Sequence, residues 1–181
     1  YRKMHIPDDP GYYEKYYFTP GDTGFTPIKT SIGTLGVRIC WDQWFPESAR
    51  LMALAGAEIL IFPTAIGWDM TDSEEERQRQ LDAWITIQRS HSIANNLPLI
   101  SVNRVGHEND PSKQTSGIEF WGNSFACDAR GKLITSCSSE NNESIITKLD
   151  MTESDQQRLV WPYFRDRRID AYSDIIKRSI D

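Results

Sequence analysis

Two short apolar runs flank a long helical stretch, and this arrangement constrains the fold more than any other feature of the chain. The runs are Glu58-Ile59-Leu60-Ile61-Phe62-Pro63 and Leu99-Ile100-Ser101-Val102-Asn103. Each is too short for an ordinary helix and reads as a strand, the first of them buried. Between them Ser73-Glu74-Glu75-Glu76 fits a capping box, with Ser73 as N-cap and Glu76 at N3. Leu81, Trp84, Ile85, Ile87, Gln88 and His91 follow at helical spacing, and the helix stops before Pro98.

The same alternation extends on both sides. Pro27 to Ser31 and Leu35 to Cys40 read as two strands around a turn at Gly33. A helix then opens with Pro46 and Glu47, which suit a first turn, and ends at Gly56. Downstream, Phe120 to Ala126 and Leu133 to Cys137 read as strands joined by the Asp128-Ala129-Arg130-Gly131 turn, and Glu143 to Leu149 as one more. Residues 1–25 read as an ordered loop, and the tail from about Thr152 as a short helix followed by an arm. Strand and helix in alternation predict a layered α/β fold. With no repeat and no linker, residues 1–181 are expected to form a single domain.

Composition narrows the function. Of 181 residues 39% are hydrophobic and 25% charged, which predicts a soluble globular chain with a real core. The net charge of −6 argues against nucleic acid as a partner. No apolar run approaches the ~20 residues of a membrane span. Three cysteines, Cys40, Cys127 and Cys137, show neither disulfide nor zinc spacing, so the expected compartment is the cytoplasm. His5, His91 and His107 form no metal-ligand set, and His91 on the long helix reads as a packing residue. Arg165-Asp166-Arg167-Arg168 reads as a solvated or subunit-contact run.

Cys40 ends an apolar strand and precedes the polar turn Trp41-Asp42-Gln43. Free cysteine usually just packs. A strand-to-helix turn, however, also suits a nucleophile, because it projects the thiol and turns backbone N–H groups toward a developing oxyanion. Taken alone, Lys3 and Glu14 read as surface charges, although Tyr12, Tyr13, Tyr16 and Tyr17 around Glu14 suggest a partly enclosed place.

Three stretches in order carry a resemblance: Tyr-Arg-Lys-Met-His-Ile-Pro-Asp (1–8), Glu-Lys-Tyr-Tyr-Phe-Thr-Pro-Gly-Asp (14–22) and Gly-Val-Arg-Ile-Cys-Trp-Asp-Gln-Trp-Phe-Pro-Glu (36–47). Together they resemble the nitrilase superfamily of carbon–nitrogen hydrolases. The likeness continues through residues 62–69, 89–95, 101–106, 120–125 and 161–170. It implies a four-layer αββα sandwich, here lacking its N-terminal portion. It implies Cys40 as nucleophile, Lys3 as catalytic lysine and Glu14 as an additional active-site carboxylate, with no metal and no organic cofactor. The family's triad glutamate lies upstream of the lysine. The expectation is therefore that it belongs to a segment before Tyr1, and that residues 1–181 alone are inactive. The resemblance also implies a homo-oligomer, a dimer or larger even assembly, with 152–181 as a C-terminal helix and oligomerisation arm.

Within the family, Cys-Trp-Asp-Gln-Trp-Phe-Pro-Glu and Pro-Thr-Ala-Ile-Gly-Trp-Asp are most similar to members acting on a carbamoylated amine such as N-carbamoylputrescine. The ammonium end of such a substrate needs a carboxylate and can use aromatic faces. Asp69, beside Trp68 and after the Ala65-Ile66-Gly67 loop, is the candidate, unless it caps the turn near Thr71–Ser73. Tyr12 and Trp41 are candidate walls. A substrate with a carboxylate would call for an arginine instead, and this loop contains none. An amidase or β-ureidopropionase-like hydrolase, and a non-catalytic interaction module, are the alternative readings.

Overall fold

A computed structural model describes residues 1–180 of the chain. After an irregular opening segment come β1 (Ile28–Thr30), β2 (Gly33–Val37), α1 (Pro46–Leu54), β3 (Ile59–Thr64) and β4 (Gly67–Asp69). Next are α2 (Glu74–Asn95), β5 (Leu99–Asn103), β6 (Val105–Glu108), β7 (Ile118–Trp121), β8 (Phe125–Cys127), β9 (Leu133–Ser136) and α3 (Thr152–Val160). Six strands form one sheet in the order β1-β2-β3-β5-β8-β9, and three form another in the order β4-β7-β6. The centre of the larger sheet is parallel, with Leu35 opposite Ile59 and Leu60 opposite Leu99, as strand–helix–strand connections require. The result is the mixed α/β fold that the alternation predicts.

The core lies where α1 and α2 meet the large sheet. Ala49 and Met52 of α1 and Trp84 of α2 pack with Leu60, Phe62, Leu99 and Phe125. Beyond Trp84 the buried stripe of α2 is polar: Gln88, His91, Ser92 and Asn95. This helix is therefore anchored by hydrogen bonds as much as by apolar burial. Its N-cap forms as expected, since Ser73 Oγ accepts the Glu76 N–H at 3.2 Å. The reciprocal half of the capping box is absent, because the Glu76 carboxylate turns to Arg79 and Gln80 instead.

Three readings of the sequence need correction. The stretch 120–126 is not one strand. Gly122 (φ +53°) and Asn123 (φ +54°) break it, so β7 joins the small sheet and β8 the large one. A Cβ on Gly122 would lie 2.7 Å from the Ser138 carbonyl oxygen, so the corner needs glycine. Residues 143–149 form no strand: Ile146 is fully exposed, and the segment pairs with neither sheet. Conversely β4 and β6 are strands that the sequence reading does not include, β4 starting at the end of the Ala65–Gly67 loop. Gly67 permits the first, since its Cβ would strike the Glu119 carbonyl of β7 at 2.1 Å.

Candidate active site

Strand β2 ends at Val37, and the chain turns through Arg38 and Ile39 into a 3₁₀ segment, Cys40–Trp44. Cys40 sits on this turn with φ +47°, in the left-handed region. For a residue with a Cβ that costs about 1–2 kcal/mol, and it persists only where the surroundings over-determine it. Asp42 and Gln43, two and three residues further on, supply the constraint.

Asp42 has no exposed surface. Its Oδ2 accepts from the Tyr1 hydroxyl (2.6 Å) and the Ile39 N–H (3.1 Å). Its Oδ1 accepts from the His5 N–H (2.9 Å) and from His5 Nδ1 (2.7 Å). Burial pushes this carboxyl up, but the bonds from His5, Tyr1 and Ile39 outweigh it and hold the group below the ordinary carboxylate range. Gln43 ties the other side. Its Oε1 accepts from Thr64 Oγ1 (3.0 Å) and Trp84 Nε1 (2.8 Å), and its carbonyl from His91 Nε2 (2.8 Å). A carbonyl can only accept, so His91 carries its proton on Nε2, and burial lowers the pKa of the imidazole.

Lys3 Nζ donates to Glu14 Oε2 at 2.6 Å, with only 13% and 28% of the two side chains exposed. Tyr12, two residues before Glu14, is half-buried, and its hydroxyl accepts the Gly67 N–H at 3.1 Å. Burial pushes the Tyr12 phenol up to about 12, against the Gly67 bond, and the charges of Cys40 and Glu14 act in the same direction as burial. Tyr12 thus lies within electrostatic reach of both and links them to the Ala65–Gly67 loop. Asn103 clamps that loop. Its Oδ1 accepts the Ile66 N–H (3.0 Å), and its Nδ2 donates to the carbonyls of Ile66 (3.0 Å) and Gly122 (3.1 Å).

The structure therefore gathers Lys3, Tyr12, Glu14, Cys40 and the half-buried Ala65 into one neighbourhood. Trp41, also half-buried, adjoins Cys40 and meets Trp44 edge-on at 6.4 Å. Trp68 turns inward, with its Nε1 donating to the Arg77 carbonyl (3.0 Å) and its ring 5.6 Å from that of Trp121. Asp69 is exposed, and its Oδ1 accepts from the Thr71 N–H (2.8 Å) and Oγ1 (2.6 Å), bonds that lower its pKa. That is the turn-capping use of the two the sequence leaves open. Cys127 is fully buried beside Ser92 Oγ at 3.1 Å, and burial raises its thiol pKa. Burial also raises that of Cys137.

Sequence reasoning passes over Tyr1, His5, Asp42, Gln43 and Asn103, which hold the site without lining it. The one available signal was two polar residues, Asp42 and Gln43, next to an otherwise apolar strand end. It also passes over Arg77, whose guanidinium lies 5.8 Å over the Trp68 ring although it belongs to α2.

The carbon-nitrogen hydrolase family model matches residues 1–158. The chain belongs to this family, within the nitrilase superfamily. It is 44% identical over 177 residues to N-carbamoylputrescine amidase of Oryza sativa, covering 97% of this chain and 58% of the relative. It is 43% identical to a citrullinase of Francisella tularensis, covering 98% and 60%. The crystal structure of a carbon-nitrogen hydrolase from Helicobacter pylori G27 superposes with a TM-score of 0.98 at 57% identity, covering 99% of this chain and 61% of that one. The chain thus spans about three fifths of the length of these relatives.

Proposed function

We propose that the whole protein hydrolyses N-carbamoylputrescine to putrescine, carbon dioxide and ammonia, through a thioester on Cys40, as a step of polyamine synthesis. The observation that carries this reading is the convergence of a strained Cys40 turn with the shielded Lys3–Glu14 pair. The family's triad glutamate takes the Cys40 proton, and the thiolate attacks the ureido carbon. Charge on the oxygen meets the Lys3 ammonium and the Trp41 N–H, an arrangement in which one donor is worth about 3–4 kcal/mol. Collapse breaks the C–N bond to the diamine, which leaves with the proton from the glutamate. Water then attacks the carbamoyl thioester with the same glutamate as base, and the released carbamate falls to ammonia and carbon dioxide. Glu14 holds Lys3 in place. Tyr12, Trp41, Ala65 and Trp68 bound the substrate, and the Asp69 carboxylate, whose bonds to Thr71 use Oδ1 alone, turns its other oxygen to the ammonium end.

A second substrate reading has a specific support. Arg77 beside Trp68 and Asp69 offers both signs of charge to a ureido amino acid, and one relative is a citrullinase. We further propose that the protein acts in the cytoplasm as a homo-oligomer, sealed in part by the tail. Leu159, Val160, Trp161, Ile169 and Ile176 are exposed there, and light scattering of the full-length protein reports the mass.

The test is ammonia release by the full-length protein from N-carbamoylputrescine, from citrulline and from a simple amide. Cys40→Ser is expected to lose on the order of 10³-fold or more in kcat while unfolding at an unchanged temperature. Turnover of none of the three by wild-type protein would sink the polyamine reading and favour an interaction module.

A further inference from the structure

We propose that Asp42 is a positioning residue, which fixes the segment carrying Lys3 at a set distance from the Cys40 turn. The inference rests on the reading of Lys3 and Cys40 as the reacting pair. Asp42 lies two residues beyond Cys40 in the same 3₁₀ segment. Its two carboxylate oxygens divide between Tyr1 and His5, the residues that bracket Lys3. A matching tie stands on the other side of the nucleophile. Arg38, two residues before Cys40, is buried with its guanidinium 4.9 Å from the Tyr1 ring and 4.7 Å from that of Phe25. The His5 ring stacks on Phe45 at 3.7 Å with 5° between planes. Tyr1, before Lys3, is therefore bound to both flanks of Cys40, and His5, after Lys3, to the downstream flank, by contacts that use neither reacting side chain.

The identity of the partners argues against a purely structural carboxylate. Arg38 makes no hydrogen bond to Asp42, since its N–H groups go to the carbonyls of Val37 and Ser48. The Arg38 guanidinium acts on Asp42 only through space, and every hydrogen bond to the buried carboxylate comes from Tyr1, His5 and Ile39. A carboxylate out of water is costly, and the bond to Ile39 would suffice to cap the turn. The remaining three bonds reach across the chain to the lysine segment.

The test uses full-length protein with Asp42→Asn, which keeps the shape and removes the charge. Two readouts are taken: kcat and KM for ammonia release from N-carbamoylputrescine, and the rate at which iodoacetamide alkylates Cys40 at pH 7, followed by mass spectrometry. A misplacement near 1 Å costs about 100-fold, so kcat is expected to fall by about that factor with KM held within about threefold. Alkylation is expected to slow by about tenfold, because the thiolate loses its fixed cation. Unchanged kcat and unchanged alkylation in a folded variant overturn the proposal. A wild type that releases no ammonia sinks the substrate reading instead, and alkylation alone then decides the positioning role. Should D42N not accumulate as folded protein, Tyr1→Phe removes one donor and keeps the ring on Arg38. A fall in alkylation rate of about threefold or more supports the proposal, and no change overturns it.

Discussion

A cysteine held at φ +47° stores strain that an ordinary packed thiol has no reason to carry. The strain is matched by two neighbours that bind in opposite directions, Asp42 toward the segment of Lys3 and Gln43 toward α2 and β3. At this scale sequence reasoning reaches the charged and nucleophilic residues, because their types and order carry the resemblance. It does not reach Asp42 or Asn103, whose importance lies in partners 37 residues away along the chain. Asp69 is the residue whose role most needs measurement. If its carboxylate faces the substrate ammonium, Asp69→Asn raises KM for the diamine substrate about tenfold and leaves kcat alone. An unchanged KM assigns Asp69 to its turn with Thr71 and moves cation recognition elsewhere.

Elements show a different limit of legibility. Helices α1 and α2 and strands β3 and β5 are readable, because caps, proline and apolar periodicity agree there. The small sheet is not, since β4 and β6 lack apolar alternation and are created by register with β7. The strand expected at 143–149 fails for the converse reason: it has β-branched residues and no partner strand. The loop from β3 to β4 depends on one side chain for its shape. Asn103→Ala leaves the Ile66 N–H and C=O and the Gly122 carbonyl without their side-chain partner. The expected loss is about 2–3 kcal/mol in urea unfolding, accompanied by a higher KM as the Ala65–Gly67 loop loosens. A loss below about 0.5 kcal/mol would mean that the loop is held by other contacts.

For the molecule as a whole, the polar stripe of α2 makes stability depend on pH. Burial lowers the His91 pKa from the ordinary 6.5, so protonation favours the unfolded chain. Its contribution is fully present above about pH 6.5 and is lost as the pH falls through the depressed folded value. Asp42 acts in the same sense at lower pH: its contribution is present above the ordinary 3.8 and is lost as the pH falls through its depressed folded value. Urea midpoints at pH 8 and pH 5.5 isolate the histidine. Wild type is expected to weaken on acidification and His91→Gln to weaken less, and equal losses would remove His91 as the cause.

The parallel centre of the large sheet also sets a clock. Leu60 meets Leu99 only after the whole of α2 has been threaded between their strands. Pairings so distant along the chain form late, after local helix and collapse. Until they form, both leucines face solvent on unpaired strand edges. Refolding by dilution from urea should therefore be slow for a chain of this size, with a yield that falls as the protein concentration rises.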